Sequence, residues 1–151
     1  MGKQPVKDQE RPLLGWREWV ALPEFGIPSL KAKLDTGART SALHAFALEP
    51  VERDGRSCVR IGIHPLQKHS VPEVWCVAPI TDRRWIRDSG GHCELRYIVE
   101  TTVQIGNAAW RIETSLTDRD NMMFRLLLGR TAIAGHYIVD PARSYVTGRI
   151  R

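Results

Sequence analysis

The chain has 151 residues, 42% hydrophobic and 26% charged, with a net charge of +5, the proportions of a globular domain able to build its own core. No apolar run approaches the roughly 18 residues that cross a bilayer, and the polar opening stretch lacks the apolar centre of a signal peptide, so a soluble cytoplasmic protein with no membrane partner is expected. Three widely spaced cysteines, Cys58, Cys76 and Cys93, contain no Cys-x-x-Cys pair, which argues against a disulfide framework and a zinc ribbon.

Residues 1–12 are polar and read as a flexible tail, leaving 13–151 as the domain. Residues 16–22 combine aromatic and β-branched side chains and read as a strand. The two prolines and glycine of 23–29 read as a turn. In 30–34, Leu30, Ala32 and Leu34 alternate with Lys31 and Lys33, a half-buried strand running straight into Asp35. Val59, Ile61 and Ile63 alternate as a further strand that breaks at His64-Pro65, and 71–80 form another apolar stretch. Residues 83–92, RRWIRDSGGH, read as a mobile hairpin tip. Residues 95–105 alternate again, turn at Gly106-Asn107 and return as 110–116. Leu126-Leu127-Leu128 is a buried strand stopped by Gly129, followed by a short helix over 130–135. Residues 136–140 and 144–147 are the last strand candidates. Short strands, frequent turns and little helix predict an all-β barrel or sandwich.

Asp35 is the residue that asks for a chemical explanation. An apolar strand ends on an acid, and a hydroxyl and a glycine follow at once in KAKLDTGARTSALHA. Gly37 lets the backbone turn and its N–H approach the carboxylate. Thr36 is able to bond across a tight interface, and the Ser41 hydroxyl to reach back toward the acid. Taken alone, the same three residues describe an ordinary turn acid. A second motif changes the balance: in LLLGRTAIAGHYIVDPARSY an apolar-apolar-Gly strand leads into a short helix.

The pair LDTGARTS and LLLGRTAI resembles the retropepsin-like aspartic proteases, in which an apolar strand ending in Gly supports the Asp-Thr-Gly loop. The longer stretches resemble more closely a bacterial family that carries the name ATP-dependent zinc protease, whose members accompany ATP-grasp glutamate ligases that modify ribosomal proteins. The resemblance runs from about residue 16 to 145. It implies a closed β-barrel protomer with one short helix near the C-terminus, a homodimer, and an aspartic site on the two-fold axis. It gives Asp35 the catalytic role, Thr36 the grip across the axis, Gly37 and Ala38 the floor, Ser41 the supporting hydroxyl, and Gly129 and Arg130 the bracing strand and helix start. A flap would lie between the motifs, at Arg87, Asp88, Ser89, Gly90 and Gly91, where Ser-Gly-Gly offers a hinge.

The chain holds one Asp-Thr-Gly. Aspartic catalysis needs two carboxylates about 3 Å apart sharing one proton, so a second chain must supply the other through an isologous contact. The zinc name finds little support. No His-Glu-x-x-His occurs, and Cys58, His64, His69 and Cys76 have the spacing of no common site. No phosphate loop is present either, so no metal or other cofactor is expected. Arginine dominates the basic residues, which points to acidic peptides or glutamate-rich tails as substrate. Aromatics are only 7% and no basic run interleaves with them, so no nucleic acid is expected. The alternatives to an aspartic endopeptidase are an inactive peptide-binding module of the same fold and a zinc-dependent protease.

Overall fold

The computed structural model describes residues 11–66, 71–88, 90–118 and 123–149. Its strands in chain order are β1 (Leu13–Gly15), β2 (Arg17–Leu22), β3 (Ile27–Leu34), β4 (Ser41–His44), β5 (Ala47–Arg53), β6 (Arg56–Ile63), β7 (Val74–Pro79), β8 (Asp82–Arg87), β9 (Cys93–Ile105), β10 (Ala108–Thr117), β11 (Leu126–Leu128) and β12 (Ile138–Asp140), with helix α1 (Arg130–Ile133) after β11. The fold is all-β with one short helix, as the sequence pattern predicts.

The main sheet runs β10-β4-β11-β3-β2-β9-β8, and β9 also pairs with β10. That last pairing closes six strands into a ring and leaves β8 outside it as an extension of β9. Closure gives every ring strand a partner on both edges. Inward residues of β2 and β3 (Val20, Leu22, Leu30, Ala32, Leu34) meet Leu43, Val99, Val103, Leu116, Leu126 and Leu128 in one buried cluster. A second sheet, β5-β6-β7, adds Val59, Ile61 and Ile63 to that cluster. Each fully buried Leu or Ile contributes about 1.5–3 kcal/mol.

Strand β11 holds the arrangement that matters most. It lies between β3, to which it is parallel (Leu128 beside Leu34), and β4, to which it is antiparallel (Leu126 beside Leu43). The strand is enclosed on both edges, with Leu126 and Leu128 fully buried and Leu127 half-buried.

Several expectations need correction. Residues 144–147 are not a strand: Tyr145 sits at φ +52°, and the N–H of Gly148 bonds the carbonyl of Tyr145 at 3.1 Å to close a turn. Residues 27–29 belong to β3, because a short 3-10 turn, Pro23–Phe25, completes the reversal early. The first half of 83–92 is strand, β8 ending at Arg87, and the hairpin turn lies between Arg87 and Cys93. Strand β1 takes up the first residues assigned to the domain, and the described part of the tail is not free, since the carbonyl of Pro12 accepts the Ile138 N–H at 3.1 Å. The remainder of the tail lies outside the described residues. Strands β4 and β5 carry no sequence signal of their own: β4 is buried at all four positions, and β5 is largely exposed with Pro50 inside it. No helix among the described residues is long and apolar enough to cross a membrane.

Candidate active site

Asp35 stands where β3 leaves the sheet. Its N–H still follows the ladder, donating to the carbonyl of Leu128 at 2.8 Å, and the chain then turns, with the Ala38 N–H reaching the Asp35 carbonyl at 3.2 Å. Inside that turn the Gly37 N–H donates to Asp35 Oδ1 at 3.1 Å. The carboxylate is half-buried, and among the described residues Oδ2 accepts no hydrogen bond. The bond to the Gly37 N–H is the Asx-turn geometry of a turn acid, and it leaves the second carboxylate oxygen open toward the cleft.

The second motif grips this loop from behind. The N–H groups of Arg130 and Thr131 donate to the carbonyls of Ala38 and Arg39 at 2.8 and 3.0 Å. The Arg130 guanidinium donates to the carbonyls of Thr36 and Gly37, each at 3.0 Å. Gly129 passes so close to the loop that a Cβ there would lie 2.7 Å from the Thr40 carbonyl carbon, so only glycine fits. Ser41 Oγ accepts the Gly129 N–H at 3.0 Å. The expectation that Ser41 reaches back to the acid is therefore corrected: its hydroxyl bonds the bracing strand. The Thr36 side chain is exposed and makes no hydrogen bond among the described residues.

Facing the loop is the β8–β9 hairpin. A cleft of about 580 Å³ lies between residues 37–40 with Arg130 and Thr131 on one side and Arg84–Arg87 on the other. It continues into a second space of about 660 Å³ lined by Asp35, Ala42, His44, Leu127, Arg96 and the hairpin residues Ile86, Arg87, Asp88, Gly90 and His92. The segment expected to be a flap is thus brought to the same cleft as Asp35. Ser89 lies outside the described residues, and Gly91 sits at the tip with φ +84°. Asp88 organises that tip: its Oδ1 accepts the N–H groups of Gly90 and His92 at 2.9 and 3.0 Å. The tip is a hydrogen-bonded turn in which glycine serves shape.

Arginines set the charge of the cleft. Arg84 forks onto Glu113 at 2.8 and 3.3 Å and also reaches Asp82 at 2.7 Å, contacts that hold its pKa above the ordinary arginine value. Hydrogen bonding to Arg84 and to the Arg83 N–H likewise lowers that of Asp82. Arg87 is held above its ordinary value by a contact with Cys93. Neither Arg39 nor Arg87 meets a carboxylate among the described residues. Buried Arg96 ties the hairpin to the brace: it donates to Glu94 Oε1 at 2.6 Å and to Ser115 Oγ at 3.5 Å, and Ser115 Oγ donates to the Ser41 carbonyl at 3.0 Å. Sequence reasoning missed Arg39 and Arg96 as cleft residues, and saw the strand of Arg84 only as part of a covering hairpin. The string RRWIR shows that a charged strand exists, but its closeness to residues 37–40 follows from barrel closure and leaves no local trace.

The ligand set drawn for zinc does not fit a metal centre in its described part. Burial pushes the Cys76 thiol up to about 11, whereas zinc binds thiolate. Cys58 is buried in β6, where it pairs with Pro79 while Cys76 pairs with Ile61. The His64 ring is stacked on Phe46 at 4.0 Å, and His69 lies outside the described residues. Among the described residues no three His, Cys, Asp or Glu side chains come together.

A closed β ring, an Asp-Thr-Gly loop at the end of one strand and an apolar strand ending in Gly threaded behind it define a retropepsin-like domain. The chain belongs to the RimB-like family, described as retropepsin-like aspartic endopeptidase RimB, whose model matches residues 13–150. It is 40% identical over 136 residues to a protein of Shewanella pealeana named probable alpha-L-glutamate ligase, covering 90% of this chain and 30% of that one. A protein of the same name from Desulfotalea psychrophila is 38% identical, covering 95% of this chain and 31% of the relative. The chain thus spans about a third of the length of these curated relatives. Lpg0085, a Legionella pneumophila protein of unknown function (DUF785) with a crystal structure, superposes with a TM-score of 0.75 at 26% identity, covering 90% of this chain and 98% of that one.

Proposed function

We propose that the protein is an aspartic endopeptidase whose catalytic unit is two Asp35 carboxylates, one from each copy of a homodimer. The observation that carries this reading is the setting of Asp35: one oxygen held by the Gly37 N–H, the other without a hydrogen bond among the described residues, at the edge of a cleft of about 660 Å³. With one Asp-Thr-Gly per chain, the second carboxylate comes from a second copy. In this reading Thr36, exposed in the single chain, bonds across the axis, and the hairpin segment 87–91 covers the substrate.

Two carboxylates at that separation share one proton and titrate as a unit. The ionised member takes a proton from water as the water oxygen bonds the scissile carbonyl carbon, while the protonated member gives its proton to the carbonyl oxygen. Collapse of the tetrahedral species returns that proton, and the other passes to the departing amine as the C–N bond breaks. No acyl-enzyme forms.

Arg39 and Arg87, which line the cleft and meet no carboxylate among the described residues, favour acidic peptides, since a guanidinium pairs with a carboxylate in a planar fork. The relatives' name supports glutamate-rich tails as substrate and an ATP-grasp glutamate ligase as functional partner, in the cytoplasm where ATP is available. The test is hydrolysis of an oligoglutamate and of a neutral peptide of equal length by the wild type and by Asp35→Asn. The reading expects cleavage of the acidic peptide that falls by about three orders of magnitude or more in the variant. Equal rates in both proteins would overturn it, and equal rates on both peptides would remove the acidic preference.

A further inference from the structure

The outer face of β2 and β3 gathers several cations on stacked aromatic rings. Arg17 lies directly opposite Lys33, and Trp19 opposite Lys31. The C-terminal segment crosses the same face, where the Tyr145 N–H donates to the Arg17 carbonyl at 2.9 Å and the Arg17 Nε to Ser144 Oγ at 3.2 Å. Trp19 and Tyr145 stack with centroids 5.8 Å apart. Cations cover what remains of the rings: Lys31 is 5.2 Å from the Trp19 centroid and 5.9 Å from that of Tyr145, Arg149 is 4.6 Å from Trp19, and Arg17 is 4.9 Å from Tyr145 and 4.6 Å from Trp16.

Three features of this face oppose folding. Like charges stand opposite one another on paired strands, which is destabilising. Arg17, Lys31, Lys33 and Arg149 meet no carboxylate among the described residues. Tyr145 holds a left-handed backbone, φ +52°, which a bulky side chain adopts at a cost. The barrel does not require these outward charges, because its packing comes from the inward Val20, Leu30, Ala32 and Leu34. What the ladder achieves is a set of cations fixed in place on aromatic faces.

We propose that this face is a docking surface for an acidic polypeptide segment, separate from the cleft. Extended chains place alternate side chains roughly 7 Å apart, the spacing of Lys31 and Lys33 on β3, so carboxylates at alternate residues of an extended segment match them. The surface also leads to the candidate site. Lys33 lies two residues before Asp35, roughly 7 Å along the strand, so a segment bound here presents its neighbouring residues to the cleft. That link rests on the peptidase reading; the docking surface does not. Single-stranded nucleic acid is the less suitable occupant, since it needs open aromatic faces on which bases stack, and here each ring is already stacked or covered by a cation.

The experiment uses the full chain carrying Asp35→Asn, so that nothing is turned over, with fluorescein-labelled decaglutamate and decauridylate as probes followed by anisotropy. Adding Lys31→Gln and Lys33→Gln is expected to weaken decaglutamate binding about tenfold, equivalent to roughly 1.4 kcal/mol. Lys33→Gln alone, an exposed side chain with no hydrogen bond or ion pair among the described residues, guards against misfolding and is expected to give about half that change on the same free-energy scale. An affinity unchanged within twofold in both variants, or decauridylate bound more tightly than decaglutamate, would overturn the proposal. Failure of the peptidase reading appears separately, as wild-type protein that binds decaglutamate and does not cleave it.

Discussion

Replacing Gly129 with Ala tests the brace behind Asp35. Gly129 has φ −87° and ψ 177°, a backbone conformation that alanine adopts without strain. On chain entropy alone the substitution would stabilise the protein by about 0.4–1 kcal/mol. The added Cβ, however, would lie 2.7 Å from the Thr40 carbonyl carbon and 2.9 Å from the Arg39 and Thr40 carbonyl oxygens. These are backbone atoms, so relief requires the loop and β11 to separate, at a cost of about 1–3 kcal/mol. Separation also stretches the Arg130 and Thr131 N–H bonds to Ala38 and Arg39 and the Gly129 bond to Ser41. With the steric cost at the upper end of that range, the net effect after the entropic gain is a loss of about 2 kcal/mol. For a chain of this size that lowers the melting temperature by roughly 4–8 °C. Thermal unfolding followed by circular dichroism, checked by urea titration, measures it. A melting temperature within about 1 °C of wild type, or higher, would show that the loop yields freely and that the steric argument is wrong.

Buried Glu18 accepts hydrogen bonds from the N–H groups of Gly15 at 2.6 Å, Val146 at 3.0 Å and Thr147 at 3.1 Å, and from Thr147 Oγ1 at 3.0 Å. Glu18→Gln turns a donor toward those donors, and a loss of about 3 kcal/mol is expected from the charge-assisted bonds alone; chemical denaturation reads it, and a change under about 1 kcal/mol contradicts the assignment. The thiols give a pH prediction. Burial holds the Cys76 thiol protonated up to about 11, above the ordinary 9.0, so its reactive thiolate appears only as pH rises toward that value. At pH 8 its labelling by a disulfide reagent should run about 100-fold slower than that of an unperturbed thiol and climb about tenfold per pH unit up to pH 10. Exposed Cys93 reacts first, and mass mapping of the labelled sites decides; a Cys76 rate that levels off below pH 9 would contradict the burial effect.

The sequence made much of the barrel legible because alternation is a local property. Leu30, Ala32 and Leu34 against Lys31 and Lys33 place β3, and the leucine run with its abrupt glycine places β11 behind Asp35. It could not show β4, whose four buried residues include His44 and do not alternate, nor the turn at 145–148, where β-branched and aromatic residues mimic a strand. At the site, Gly129 was readable because only a residue without a side chain fits against the Thr40 backbone. Arg84 and Arg96 were not placed beside the Asp35 loop: their position depends on β9 pairing with β8, β10 and β2 at once. Ser41 was singled out for the right element and given the wrong partner, because its hydroxyl is as close in sequence to the acid as the fold brings it to Gly129. The basic-aromatic face also escaped the sequence, since Tyr145 and Arg149 reach Trp19 only after the C-terminal segment has crossed the barrel.

The central claim is that hydrolysis needs an Asp35 carboxylate from each of two copies. The most direct measurement is peptidase activity in preparations where wild-type and Asp35→Asn chains are coexpressed in known proportion and assemble at random. If each site takes one acid from each copy, activity follows the square of the wild-type fraction, so an equal mixture retains about a quarter of the wild-type rate. A linear dependence, with about half the rate in the equal mixture, would mean that one copy suffices and would contradict the shared-acid account.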